Sequence, residues 1–270
     1  MDTWRLLITP PTHGAWNMAV DEAILEAVGR NESLPTLRLY AWEPACLSLG
    51  YAQPITDVDI PRLEQHTWEL VRRPTGGRAV LHTDELTYSV IASLKEPRVA
   101  GTVLETYHRL AQALVEALNL LSMQVELSKN SPASSRRSTN PVCFEVPSTY
   151  EITVDGKKLI GSAQARRKEG VLQHGSLPLS GDLTRILQVL VFPDEVSRVQ
   201  AAERLLRRAI TVETALKRKV SWDEAAQAFI RAFGTVLDLN LRSGNLAPTE
   251  KNRAEELVKI KYEHPAWTEK

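Results

Sequence analysis

Residues 150–179 read YEITVDGKKLIGSAQARRKEGVLQHGSLPL. Three β-like runs, YEITV, KLIGSAQAR and VLQHGSLPL, are separated by turns at Asp155-Gly156 and near Glu169-Gly170. Asp-Gly between such runs is a strong hairpin signal, because both turn positions need a positive φ that these residues adopt at little cost. The stretch predicts consecutive antiparallel strands, and with them an antiparallel or mixed sheet.

Working outward, short strands alternate with helices upstream. Trp4–Ile8, Leu37–Tyr40, Cys46–Leu49, Trp68–Arg73 and Tyr88–Leu94 read as strands. In Trp16–Val28, Ala19, Ala23 and Ala27 recur at helical spacing with Val20 and Ile24 beside them. Leu104–Leu121 reads as a helix with Tyr107, Leu110, Leu114, Leu118 and Leu121 on one face. Residues 128–142, SKNSPASSRRSTNPV, are polar with two prolines and predict a mobile loop. Downstream of Gly181 the pattern is helical: Ser221 and Glu224 fit a capping box, and Ala225, Phe229, Phe233 and Val236 form an apolar face. The expected fold class is α+β, with mixed or antiparallel sheets flanked by helices. Residues 1–241 are expected to form the main domain with a helical C-terminal part, and 242–270 a tail packing on it.

Composition narrows the function. Of 270 residues 43% are apolar and 24% charged, as in a soluble globular chain, and Lys+Arg and Asp+Glu balance at 33 each. A net charge of zero gives no general attraction to nucleic acid or to a membrane surface, so neither is an expected partner. No basic segment leads into an apolar run at the N-terminus, and no run approaches the roughly 18 apolar residues of a membrane span. The expected location is the cytoplasm. Two cysteines, Cys46 and Cys143, make no disulfide framework, and without HExxH or paired CxxC no metal or other cofactor is expected.

Cys143 lies in NPVCFE, after the polar loop and near Arg136, Arg137 and Lys157-Lys158. Nearby cations favour the thiolate, which is the nucleophile. The competing reading is a buried structural thiol, the reading preferred for Cys46 in its apolar strand. Lys158, fifteen residues after Cys143, opens the second arm of the hairpin. It is either a cation or base acting on the thiol, or a solvated strand-edge lysine. RRPTGGRAVLH, residues 72–82, gathers arginines around paired glycines, which suits close approach to an anionic ligand or a plain turn. It is neither a GK[ST] phosphate loop nor GxGxxG. His82 and His174 follow apolar residues and are candidates for a pocket wall.

Together these pieces resemble one family. RRPTGGRAVLHTDELTYSV (72–90), WNMAVDEAIL, CLSLGYAQ, DGKKLIGSAQARR with LQHGSLPL, and KIKYEHPAW resemble segments of the biotin/lipoate protein ligase superfamily along nearly the whole chain. Within it, NPVCFEVPSTYEI resembles the cysteine-dependent, LipM-type octanoyltransferases, in which the lysine stands fifteen positions after the cysteine. The resemblance implies the ligase catalytic fold. It also implies a catalytic pair Cys143 and Lys158, and transfer of octanoyl from acyl carrier protein through a Cys143 thioester. The implied acceptor is a lysine on a lipoyl carrier domain such as the glycine-cleavage H protein. Substrate-binding positions carried over are Arg73, Gly76, Gly77, Arg78, His82, Gly161, Ser162, Ala163 and His174. Rival readings are an ATP-dependent lipoate ligase, an octanoyl amidotransferase between carrier proteins, and a non-catalytic acyl-carrier binding protein.

Overall fold

The computed structural model describes residues 1–129, 142 and 150–270. Cys143 and most of the loop expected over 128–142 lie outside the described residues. The first two positions of that loop instead end strand β7.

Strands β1 (Asp2–Ile8), β2 (Thr36–Tyr40), β6 (Glu85–Ala92), β7 (Glu126–Lys129), β8 (Tyr150–Val154), β9 (Lys157–Arg167), β10 (Gly170–Pro178) and β11 (Leu239–Ser243) form one mixed sheet. Its order is β11-β1-β2-β6-β10-β9-β8-β7. β11, β1 and β2 run parallel to one another, and from β2 to β7 every neighbouring pair is antiparallel. The Asp155-Gly156 turn has φ of 49° and 70°, the two positive values a two-residue hairpin turn of this hand requires. Beside this sheet, β3 (Cys46–Leu49) sits between β4 (Glu69–Arg72) and β5 (Val80–His82) in a second, three-stranded sheet.

Alternation along the central strands sends side chains to two different layers. Tyr88 and Val90 of β6 pack against α3 (Val103–Leu120) and α6 (Trp222–Val236), where Leu110, Leu114, Phe229 and Phe233 are fully buried or nearly so. Each such side chain contributes about 1.5–3 kcal/mol by leaving water. Ile91 of β6 and Leu172 of β10 pack instead against α1 (Gly14–Gly29), which in turn holds α7 (Pro248–Leu257). A third cluster joins the small sheet to the 3-10 segment Leu183–Val189 and to α4 (Glu195–Arg208). The C-terminal segment enters the second layer through Ala254, Leu257 and Tyr262, and β11 runs across position 241/242 into the main sheet. No helix among the described residues is long and apolar enough to cross a membrane.

The cap expectation needs correction. Ser221 accepts from the Glu224 amide at 3.1 Å, but the Glu224 carboxylate turns to Arg218 at 2.7 Å. A charged partner outcompetes the N-cap amide. The reciprocal box forms instead at α3, between Thr102 and Glu105. Val236 is also 36% exposed and does not complete the α6 apolar face.

Candidate functional site

A cavity of about 380 Å³, including its solvent-open part, lies where the small sheet faces β6, β9 and β10. Met18 of α1, Trp42, Val80 and Ala163 supply its apolar wall, and Ser48, Arg73, His82, Thr87, Ser162, His174 and Ser176 its polar one. A second cleft of about 490 Å³ adjoins it, sharing Val80 and Ser176, and is also lined by Val142. Val142, the residue before Cys143, pairs in parallel with Ala79.

The polar groups are mostly committed to one another. His82 Nε2 lies 2.8 Å from Ser48 Oγ, while Nδ1 meets the Glu85 carboxylate. Glu85 also accepts from the Thr83 amide at 2.9 Å and from Thr87 Oγ1 at 3.1 Å. With Nδ1–H donated to a carboxylate, Nε2 is the acceptor and Ser48 the donor. Trp42 lies flat on the His82 ring, centroids 3.9 Å apart, and donates through Nε1 to Thr87 at 2.8 Å. These contacts fix the ring in place.

His174 is held in a similar way from the opposite wall. Its Nε2 lies 2.6 Å from Thr75 Oγ1 and its Nδ1 3.8 Å from Asp21 Oδ2. Burial lowers the His174 pKa, and Asp21 offsets only part of that effect. For Asp21, burial acts to raise the pKa, but Arg38, His174 and Ser89 together outweigh it and leave it lowered. Arg38 Nη1 lies 2.8 Å from Asp21, with both side chains fully buried.

Arg73 shapes the glycine turn. Its guanidinium donates to Ser48 O and Oγ on one side and to Gly76 O and Arg78 O on the other. Gly77 has φ of 93° and its carbonyl sits where a Cβ on Gly50 would be, 1.9 Å away, so the turn folds tightly onto the end of β3 only because position 50 is glycine. Arg73, His82, Gly161, Ser162, Ala163 and His174 therefore meet around one cavity. Among the described residues Gly76, Gly77 and Arg78 do not line it; no described atom lies within 4 Å of a Cβ placed on Gly76, and Arg78 reaches Asp57 at 4.0 Å.

Lys158 stands three residues before Gly161 on β9. It is 6% exposed, with Nζ 3.2 Å from Glu151 Oε1, so it is no solvated edge lysine. Its carbonyl accepts from Ile210. Cys46 is fully buried with its thiol pKa raised by burial, its sulfur packed against Gly14.

The sequence reading missed Met18, Trp42, Ser48, Glu85, Ser176 and Asp21. Asp21 carried a signal: it is a carboxylate inside the apolar run MAVDEAIL, where an unpaired charge would be costly to bury. The others are ordinary residues, Met18 in helix α1 and the rest in strand or loop context, and carried none.

Residues 13–234 match the family model described as the lipoyl protein ligase A/B catalytic domain, and the chain belongs to that family. It is 40% identical to a Kyrpidia tusciae protein named Octanoyltransferase LipM, covering 99% of this chain and 98% of that one. A Brevibacillus brevis protein of the same name is 37% identical, with 99% of each chain covered. Among solved structures, that of a bi-partite lipoate protein ligase and its E2 lipoyl domain from Thermoplasma acidophilum superposes with a TM-score of 0.83 at 27% identity, covering 100% of this chain and 97% of that one.

Proposed function

We propose that this chain is an octanoyl-[acyl-carrier-protein]:protein N-octanoyltransferase of lipoate biosynthesis. It takes octanoyl from acyl carrier protein onto Cys143 and passes it to a lysine of a lipoyl carrier domain such as the glycine-cleavage H protein. The relatives named octanoyltransferase support the acyl group, and the ligase structure with its lipoyl domain supports the acceptor class. The observation that carries the mechanism is Lys158, a buried lysine on the strand that also walls the cavity with Gly161, Ser162 and Ala163. A buried lysine keeps its charge only beside an anion, and Glu151 at 3.2 Å holds it as a fixed cation on this strand.

In this reading Lys158 favours the Cys143 thiolate. The thiolate attacks the thioester carbonyl, a new carbon–sulfur bond forms, and the carrier thiolate leaves, taking up the proton that Cys143 gave up. The acceptor lysine, as a free amine, then attacks the acyl-enzyme. The amide forms, Cys143 sulfur leaves, and the amine's proton returns to it. No ATP is consumed and no cofactor takes part. The octanoyl chain would lie against Met18, Trp42, Val80 and Ala163, where burying six CH₂ groups contributes roughly 5 kcal/mol. Residues 1–241 act as the catalytic body with 242–270 packed on it, in a compartment that keeps the thiol reduced, the cytoplasm.

The test is intact-protein mass spectrometry after mixing enzyme with octanoyl carrier protein, without acceptor or ATP. One hydroxylamine-labile octanoyl adduct on Cys143, discharged by a lipoyl domain, is the expected result. No adduct under rapid quench, with transfer supported instead by ATP and free octanoate, would replace this reading by the ligase one. An unmodified enzyme that merely retains the carrier would make it a binding protein.

A further inference from the structure

Among the described residues, the polar wall of the cavity contains one unused hydroxyl. Ser48, Thr87, Ser162, Trp42, Arg73, His82 and His174 all spend their side-chain polar atoms on protein partners. Ser176, only 4% exposed, has a hydroxyl without a hydrogen-bond partner among the described residues. A buried hydroxyl left unpaired is unfavourable, and a ligand acceptor placed beside it in the cavity would supply the missing partner.

Its position says which ligand atom. Ser176 lies on β10 opposite Thr87 of β6 and Gly161 of β9, at the seam shared by the two clefts. On one side of the seam is the apolar wall of Met18 and Trp42; on the other is Val142, the residue before Cys143; Val80 lines both clefts. An acyl thioester with its chain in the first cleft and its sulfur toward the second has its carbonyl at the seam. Because both nitrogens of His82 and of His174 are already engaged, neither histidine competes for that oxygen.

We propose that the Ser176 hydroxyl donates a hydrogen bond to the carbonyl oxygen of a medium-chain acyl thioester held in this cavity. The assignment rests on the acyl-transfer reading above. As the thiolate adds, negative charge grows on that oxygen and the preset donor stabilises it; the serine keeps its proton throughout. When the carbonyl re-forms, the electron pair leaves with the carrier sulfur.

Two pantetheine probes separate this role from a structural one. The first is a ketone in which CH₂ replaces the thioester sulfur of octanoyl-pantetheine. The second is the S-octyl thioether, which has no carbonyl. Calorimetric titration of wild type, Ser176→Ala and Ser176→Thr is expected to show the alanine variant binding the ketone about three- to tenfold more weakly. Thioether binding stays unchanged, and threonine retains the ketone affinity. In turnover, Ser176→Ala is expected to lower kcat about 100-fold, to raise the donor KM by no more than the about three- to tenfold seen with the ketone, and threonine to restore much of both. Equal weakening for both probes, no weakening for either, or a wild type that does not prefer the ketone overturns the assignment. If wild type fails to acylate without ATP, the transferase reading falls while the ketone–thioether comparison still decides Ser176.

Discussion

His174 Nε2 lies 2.6 Å from the Thr75 hydroxyl and thereby ties β10 to the start of the glycine turn. The contact uses the neutral ring: Nδ1–H points at Asp21, so Nε2 accepts from Thr75. Protonating Nε2 would remove that acceptor.

A pH dependence follows with a definite sign. The folded protein holds the His174 pKa below its ordinary value, chiefly by burial. Between the folded value and the unfolded value of about 6.5, the unfolded chain binds the extra proton. Stability is therefore fully present above about pH 6.5 and declines as pH falls below it. Urea unfolding at about pH 8 and about pH 5.5 should show this decline in wild type and a shallower one in His174→Gln. Identical slopes in the two proteins would exclude His174 as the source.

Asp21 and Arg38 supply a second, larger effect. Both are fully buried, and Tyr40 and Ser89 hydrogen-bond the same carboxylate. Arg38→Met leaves that carboxylate without its cation and is expected to cost about 3–5 kcal/mol. Arg38→Met with Asp21→Leu should recover part of the loss, because no lone charge is then buried. Denaturant midpoints of the single and double variants decide it; a double variant as unstable as the sum of its parts would refute the pairing.

The parts of the fold legible in the sequence were those with a local cause. The Asp155-Gly156 turn forces its hairpin, and the spacing of Leu110, Leu114 and Leu118 marks the face α3 buries. β7 escaped reading because four residues carry too little alternation, and its pairing with β8 is what makes it a strand. The site was legible only in outline. His82, His174 and Gly161–Ala163 stood in motif segments, but their partners come from far away: Ser48 is 34 positions from His82 and Thr75 is 99 from His174. Nothing local marks such a serine or threonine until the strands meet.

Gly14 and Cys46 offer a packing test. A Cβ on Gly14 would lie 2.4 Å from Cys46 Sγ in a layer that also holds Trp42. Gly14→Ala should destabilise the fold by about 1–3 kcal/mol through overpacking. Cys46→Ala removes the sulfur, so the double variant should be more stable than additivity predicts. Strict additivity of the thermal unfolding energies would show that the backbone shifts rather than the sulfur blocking the methyl. Transfer activity should survive Cys46→Ala, because that thiol is buried in the core.

Arg72 makes a fourth prediction, on the C-terminus. Its fully buried guanidinium donates to carbonyls of Gly50, Tyr51 and Gln53 and to those of Trp267, Thr268 and Lys270. A single planar fork spans two chain segments, a geometry that an ammonium does not reproduce. Arg72→Lys is expected to release residues 265–270, seen as faster amide exchange and early carboxypeptidase trimming. Full protection of the tail in that variant would mean that Trp267 packing alone suffices.

The last prediction turns on Lys158 and Glu151, 3.2 Å apart and both shielded. If Lys158 is the cation that holds Cys143 as thiolate, neutralising either member of the pair changes the thiol in opposite directions. Lys158→Met removes positive charge, so the pH profile of Cys143 alkylation by iodoacetamide should move upward and the rate at neutral pH should fall. Glu151→Gln removes the competing negative charge, so the same profile should move downward. Lys158→Arg keeps the charge and should hold the profile near wild type while slowing transfer, because guanidinium does not give up a proton in proteins. Cys46 is buried, so the rate measured in the native protein belongs to the other of the two cysteines. Profiles moving the same way for Lys158→Met and Glu151→Gln would show that fold loosening, not charge, governs the thiol. Profiles unmoved in both would remove Lys158 from the thiolate's surroundings and leave it a structural ion pair on β9.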